Sequence, residues 1–179
     1  MRKELYKDIC RLLSSLVVYS DGRTGVYIPS SRNPEADASG TVAELPEGME
    51  RMVKHIDLWN HNVEFLEQED GWERPAVFVE FCPIKWDSLV PGRDYRSEPL
   101  IKLHVVTDWC GSTSYGSEYQ EESLKVFDLL EKIHETLACK CGKTYIGLDL
   151  VESHTNHNHE ELLENVEVYQ CGVFKTIEI

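Results

Sequence analysis

Positively charged residues are scarce in this sequence. Its 179 residues include 18 Lys and Arg against 32 Asp and Glu, which gives a net charge of −14 at pH 7. Affinity for a phosphate backbone is built from clustered cations. The composition therefore argues against general nucleic-acid binding, and we expect no sequence-specific nucleic-acid partner.

Long apolar runs are also missing. No stretch reaches the roughly 18 consecutive apolar residues that indicate a transmembrane helix. Charged residues interrupt the N-terminal segment, and no small-residue cleavage site follows it. The segment therefore does not read as a secretion signal. We expect no membrane partner and a cytoplasmic location.

Common catalytic and cofactor motifs are absent as well. The chain contains no GxxxxGK[ST], GxGxxG, GxSxG or HExxH, which are typical of phosphate cradles, nucleophile elbows and zinc proteases. Its six cysteines form no Cys-x-x-Cys pair, and Cys139 and Cys141 are too close for a zinc knuckle. These absences favour a protein that is not an enzyme, has no cofactor and keeps its thiols reduced.

The hydrophobic pattern predicts one domain over residues 1–179. Apolar residues at helical spacing predict an N-terminal helix over 3–17, and Gly, Ser and Pro are frequent in a long loop or insertion over 20–50. A sheet-and-helix core is predicted over 52–175. Within it, a second helix is predicted over 119–138, and Gly142 is the residue expected to stop it.

Several short apolar segments have the character of strands. They are 55–59, 63–66, 76–81, 100–106, 146–151 and a last strand marked by Val166, Val168 and Val173. We expect the first two to form a hairpin through 60–62 and the third to be central in the sheet. The order of elements predicts an α+β fold, a mainly antiparallel sheet with two helices packed on one face.

One histidine-rich tract is a candidate metal site. Imidazoles and a carboxylate suit Zn²⁺ or Ni²⁺, and the candidate ligands are His154, His157, His159 and Glu160. Their spacing does not match a helical zinc motif, and we place them in a polar connection, where they could equally be hydrogen-bonding turn residues. The alternative function is therefore a metal-binding module or metal-dependent enzyme that uses these histidines and Cys141.

Three residues at the end of the fourth strand could form a nucleophile cluster. His104, Asp108 and Cys110 share one face if the strand continues, and a cysteine nucleophile needs a nearby base. No flanking catalytic motif accompanies them. We expect a buried cysteine and polar residues at a strand end instead.

One segment near the C-terminus has acidic residues but no basic ones. Residues 144–174 contain no Lys or Arg. Such a run usually forms a solvated face. It could also repel anions or dock on a basic partner surface.

Four segments carry a resemblance to a known family. They are Ile56–Asn60, Arg74–Phe81 followed by Ile84–Trp86, Ile101–Thr107 and His154–Asn165. In these segments the chain resembles a family of small prophage-encoded proteins, over roughly residues 52–175. That family is similar to the tail-terminator and tail-completion proteins of long-tailed phages.

The resemblance implies a structural function. A subunit of this kind would form a ring, with six copies as the expected number, that caps the tail tube or joins it to the head. Its partners would be copies of itself and tail-tube or head–tail connector proteins. It would occupy the host cytoplasm and then the virion. No catalytic residue is implied, and an acidic lumen would let DNA slide by like-charge repulsion.

Overall fold

The computed structural model describes residues 1–28, 44–61, 63, 71–156 and 161–177. Two helices and ten strands lie in this part of the chain. In chain order they are α1 (Arg2–Ser14), β1 (Leu16–Tyr19), β2 (Thr24–Val26), β3 (Met49–Arg51), β4 (His55–Leu58), β5 (Ala76–Phe81), β6 (Asp87–Val90), β7 (Asp94–Ser97), β8 (Leu100–Asp108), α2 (Gln120–Leu137), β9 (Ile146–Asn156) and β10 (Leu162–Thr176).

The strands form two sheets. The larger has seven strands, with β4, β5, β8 and β10 in spatial order, β9 on the other side of β10, and β7 and β6 beside the end of β10. All its pairs are antiparallel except β4 with β5. A smaller sheet has the order β2, β1, β3. The fold is therefore α+β with a mainly antiparallel sheet, as the sequence predicts.

The longest strand, β10, organises the larger sheet. Residues 162–170 pair with β8, and residues 173–176 continue in the same register with β7. β7 and β8 thus act as one strand that is interrupted at Glu98 and Pro99. The interruption has a local cause, because proline has no N–H for the ladder. The Pro99 carbonyl still accepts a hydrogen bond from the Cys171 N–H at 3.3 Å.

Both helices pack on one face of this sheet. The core there joins Leu5 and Ile9 of α1 and Ile133 of α2 to Val77 and Leu103 of the central strands. β5 is central, between β4 and β8, which confirms the prediction for 76–81. No helix in the described ranges is long and apolar enough to span a membrane.

The buried stripe of α2 differs from the predicted contact. A central strand over 76–81 under a helix over 119–138 predicts that Val77 or Phe78 packs on Phe127. Instead Phe127 is 54% exposed, while Val126, Leu129 and Ile133 are buried. The cause is helical geometry, since Phe127 points about 100° away from Val126 around the axis. Phe78 is buried on the opposite face of the sheet.

Helix ends also differ from the prediction. α1 ends at Ser14 instead of residue 17, and Leu16 begins β1, because two serines precede a run rich in β-branched residues. α2 ends at Leu137, and Cys139 adopts the left-handed conformation, with φ of 57°. Gly142 is therefore not the residue that stops the helix.

The second strand of the predicted hairpin over 55–66 lies largely outside the described residues, so its pairing stays a prediction. β4 pairs in parallel with β5, and Val63 lies in a turn, while residues 64–66 fall outside the described ranges. A hairpin does form at the start of the 20–50 segment, between β1 and β2. Residues 29–43 of that segment are also outside the described part.

Candidate functional site

The sheet face opposite the helices carries a group of charged side chains. Side chains alternate along a strand, so even-numbered residues of β5, β8 and β10 share this face. The register places His104 beside Phe78 on one side and Val166 on the other. The charged residues here, which we call the charge cluster, are Glu80, Lys102, His104 and Glu164.

His104 lies at the centre of the charge cluster. Its Nδ1 is 2.6 Å from Oε1 of Glu164, and its Nε2 is 3.1 Å from Oε2 of Glu80. A ring with both protons can donate to both carboxylates, whereas a neutral ring can donate to only one. The His104 ring therefore lies between two carboxylates and joins three adjacent strands through their side chains.

Glu164 is the most buried charged residue of the cluster, at 1% exposure. While His104 faces one of its oxygens, the other accepts a hydrogen bond from Nδ2 of Asn156 at 2.6 Å. A buried carboxylate is costly unless its oxygens are hydrogen-bonded and its charge is paired. The contacts from β8 and β9 meet both requirements.

Glu80 lies nearer the solvent and has two cationic neighbours. Besides His104, Nζ of Lys102 is 3.2 Å from Oε2 of Glu80. Partial burial acts to raise the pKa of Glu80, but hydrogen bonds from His104 and Lys102 outweigh it and hold that pKa below its usual value.

An aromatic side chain covers the imidazole. The rings of Trp59 and His104 are stacked, with centroids 3.8 Å apart and an interplanar angle of 4°. The backbone N–H of Trp59 donates a hydrogen bond to the Val79 carbonyl at 3.0 Å. This bond fixes the residues after β4 over the sheet. The indole therefore covers one face of the imidazole.

A small apolar cluster continues beside this stack. Phe78 is fully buried and meets the Trp72 ring nearly perpendicularly, with centroids 5.0 Å apart. Val106 and Leu162 complete the packing around it. The face opposite the helices therefore combines a charge cluster with its own hydrophobic packing.

A cavity of about 460 Å³ opens next to the charge cluster. Its lining includes Trp59, Lys102, His104, His154 and Glu164. The lining includes positively charged and negatively charged hydrogen-bonding groups and the aromatic ring of Trp59. Among them His104 and Glu164 contact each other, whereas Lys102 contacts Glu80 and His154 contacts Glu152, both outside the lining. The geometry therefore describes a polar core with an open side.

The predicted metal ligands have separate outcomes. His154 lies within β9 and is exposed, so its predicted placement in a connection is wrong. β9 extends to Asn156, and β10 begins at Leu162. Its Nδ1 is 3.4 Å from Oε1 of Glu152. His157, His159 and Glu160 lie outside the described residues. Within the described ranges, no group of three or more His, Cys, Asp or Glu could hold a metal ion.

The possible nucleophile cluster is not assembled. His104 contacts the two glutamates, whereas Asp108 pairs with Arg74, with 2.5 Å between its Oδ1 and the arginine Nε. Cys110 is exposed, and its Sγ lies 3.7 Å from the Asp108 carbonyl oxygen. Cys141 is also exposed and precedes β9, while His154 lies near the far end of that strand.

Sequence reasoning missed the charge cluster. A signal was present, since Glu80, His104 and Glu164 each interrupt a strongly apolar strand. Charged residues are rarely buried unless paired. What the sequence does not give is the strand order that brings the three together.

A second surface feature was not predicted at all. β6 and β7 form a hairpin that, with the end of β10, extends past β8 and β9. We call this extension, residues 85–97 and 173–177, the arm. Leu89, Val90 and Phe174 on it are 55%, 45% and 57% exposed. The Pro91-Gly92 pair is the turn signal that could have located it.

Comparisons with known proteins add no assignment. No protein-family model matches the chain, and no curated protein matches it.

Proposed function

We propose that this protein is a structural subunit that associates with copies of itself into a ring, as the resemblance to tail-terminator and tail-completion proteins implies. The ring would sit at the end of a phage tail or at the head–tail junction. Tail-tube or connector proteins would be its further partners.

The observation that carries the proposal is the exposed apolar surface of the arm. Trp86 and Ile177 are exposed on it together with Leu89, Val90 and Phe174. Single exposed hydrophobic residues are ordinary, but a group of five on one extension is typical of a protein–protein interface. Every residue of β6 is exposed, and its described partner is β7 alone.

The charge of the chain fits the same proposal. With a net charge of −14, a ring would present an acidic lumen, and like-charge repulsion would keep a passing DNA duplex from adhering. Such a lumen suits a channel that DNA crosses without being held.

The mass in solution tests this function. Sedimentation of the untagged protein at several concentrations should give a ring-sized species whose share rises with concentration, and negative-stain images should show closed rings. A monomer mass over the whole range would contradict the proposal. A monomer that carries stoichiometric metal would instead support a metal-binding module.

A further inference from the structure

We propose that the arm of one copy pairs with β9 of the next copy in a head-to-tail contact, so that each copy offers a different edge to each neighbour. This inference rests on the proposed ring function and names the surfaces that build the ring. The partner is a second copy of this chain.

The first support is the position of the two edges. β9 pairs with one side of β10, whereas β7 and then β6 lie on the other side, because β7 continues the register of β8. Among the described residues, β6 pairs only with β7, and β9 only with β10. β6 and β9 therefore each have an edge that no described strand covers, and these two edges face in opposite directions.

The second support is apolar exposure on both edges. Leu89 and Val90 of β6 are matched by Ile146 and Val151 of β9, which are 60% and 50% exposed. When an added strand extends a sheet, main-chain hydrogen bonds supply affinity and side chains supply specificity. Both edges carry apolar side chains that such pairing would bury.

The third support is charge complementarity. Lys85 and Lys175 on the arm are exposed and form no ion pair within the described ranges. On β9, Asp149 has no ion-pair partner among the described residues, and Glu152 has only His154. The arm therefore carries cations, and β9 carries carboxylates, that a contact between two copies would bring together.

The same charges argue against a symmetric contact through β9. Residues 144–174 contain no Lys or Arg, so two β9 edges would bring like charges together, which destabilises strand pairing. A contact between two different surfaces is heterologous, and it closes into a ring when the rotation between copies permits. The geometry of the edges therefore suits a ring better than a two-fold dimer.

Two edge variants test the inference. The arm variant carries Leu89→Glu and Val90→Glu, and the β9 variant carries Ile146→Glu and Val151→Glu. All four positions are at least 45% exposed, so the fold should survive, which circular dichroism can check. Phe127→Glu, at an equally exposed position on α2, is the matched control.

Each edge variant alone should have a dissociation constant raised by about tenfold or more, which corresponds to about 1.4 kcal/mol, and should sediment as a monomer. The control should assemble like the wild type. An equimolar mixture of the two edge variants should form a species of two chains and no larger one. The arm variant supplies an intact β9 edge, the β9 variant supplies an intact arm, and no further intact pair of edges remains. A symmetric contact would not give a two-chain species in this mixture.

The outcomes separate this inference from the proposed function. Wild-type rings together with edge variants that still form rings would overturn the inference and leave the function standing. Loss of assembly in one variant only would show a symmetric contact and also overturn it. A wild-type protein that stays monomeric would overturn both. If the glutamate variants do not fold, Lys85→Glu with Lys175→Glu provides the arm variant.

Discussion

Nδ1 of His104 lies 2.6 Å from Oε1 of Glu164, and the two side chains are 8% and 2% exposed. This contact joins β8 to β10 through a buried pair of ionisable side chains on the face away from the helices. Buried pairs of this kind need not add net stability, but breaking one is costly because the remaining charge stays buried.

Replacing His104 by Leu should therefore lower the free energy of unfolding by about 3–5 kcal/mol. The loss arises because the buried Glu164 carboxylate loses its hydrogen bond to the His104 ring. Urea unfolding of the single variants and of His104→Leu with Glu164→Leu gives the coupling between the two residues. We expect the double variant to recover more than about 1 kcal/mol of the summed losses.

Lys102→Met is the control for that experiment. Lys102 is 36% exposed, and its partner Glu80 is 31% exposed, so the pair should contribute less than about 1 kcal/mol. The prediction fails if the losses of unfolding free energy for the His104 and Glu164 variants are additive, or if Lys102→Met causes an equal loss. Either result would show that His104 is not the partner that stabilises the buried Glu164.

Stability should fall in acid through Glu80. Its pKa is held below the usual value of 4.5, so the folded state releases this proton more readily than the unfolded chain. The stabilisation is therefore present above about pH 4.5 and disappears as the pH falls through the lowered pKa. The difference in unfolding free energy between wild type and Glu80→Gln should shrink between about pH 6 and pH 3. If that difference in unfolding free energy stays constant over this pH range, the charge of the Glu80 carboxylate does not contribute to stability.

The fold class and most elements of this protein could be predicted from the sequence. Apolar periodicity located α2, which buries a regular stripe of side chains, and a continuous apolar run located β5, which is buried on both faces. The arm escaped because β6 is exposed throughout and shows no alternation of apolar and polar residues. The parallel pairing of β4 with β5 is non-local, and local sequence patterns carry no information about it.

The candidate site was less predictable. Histidines close in sequence suggested a metal site, whereas the buried histidine, His104, finds its partners on two other strands. Glu80 and Glu164 are separated from it by 24 and 60 residues. Only strand order and register bring such residues together, and neither can be read from residue spacing.

Thiol reactivity should divide the six cysteines into groups. All six are free in the structure, with Cys110, Cys139 and Cys141 exposed and Cys171 buried. Burial also raises the pKa of Cys171 to about 11, and only the thiolate reacts. Peptide mapping after alkylation of the native protein should therefore show the three exposed cysteines modified first and Cys171 last.

Denaturation without reductant supplies the complementary measurement. All six thiols should then react, because no pairing is expected. A count of four or fewer would show a disulfide. Early modification of Cys171 in the native protein would show that the core between β10 and the helices opens readily.

The two faces of the sheet make different predictions for two phenylalanines. Phe78 is fully buried, and the Trp72 ring lies against it at 5.0 Å, whereas Phe127 on α2 is 54% exposed. Phe78→Ala should lower the free energy of unfolding by about 3–5 kcal/mol, because it leaves a cavity in close-packed surroundings. Phe127→Ala should change it by less than about 0.5 kcal/mol. Chemical denaturation measures both, and the tryptophan emission of the folded protein should shift only for Phe78→Ala. A loss below about 1 kcal/mol for Phe78→Ala would show that the packing opposite the helices does not contribute to stability as a core does.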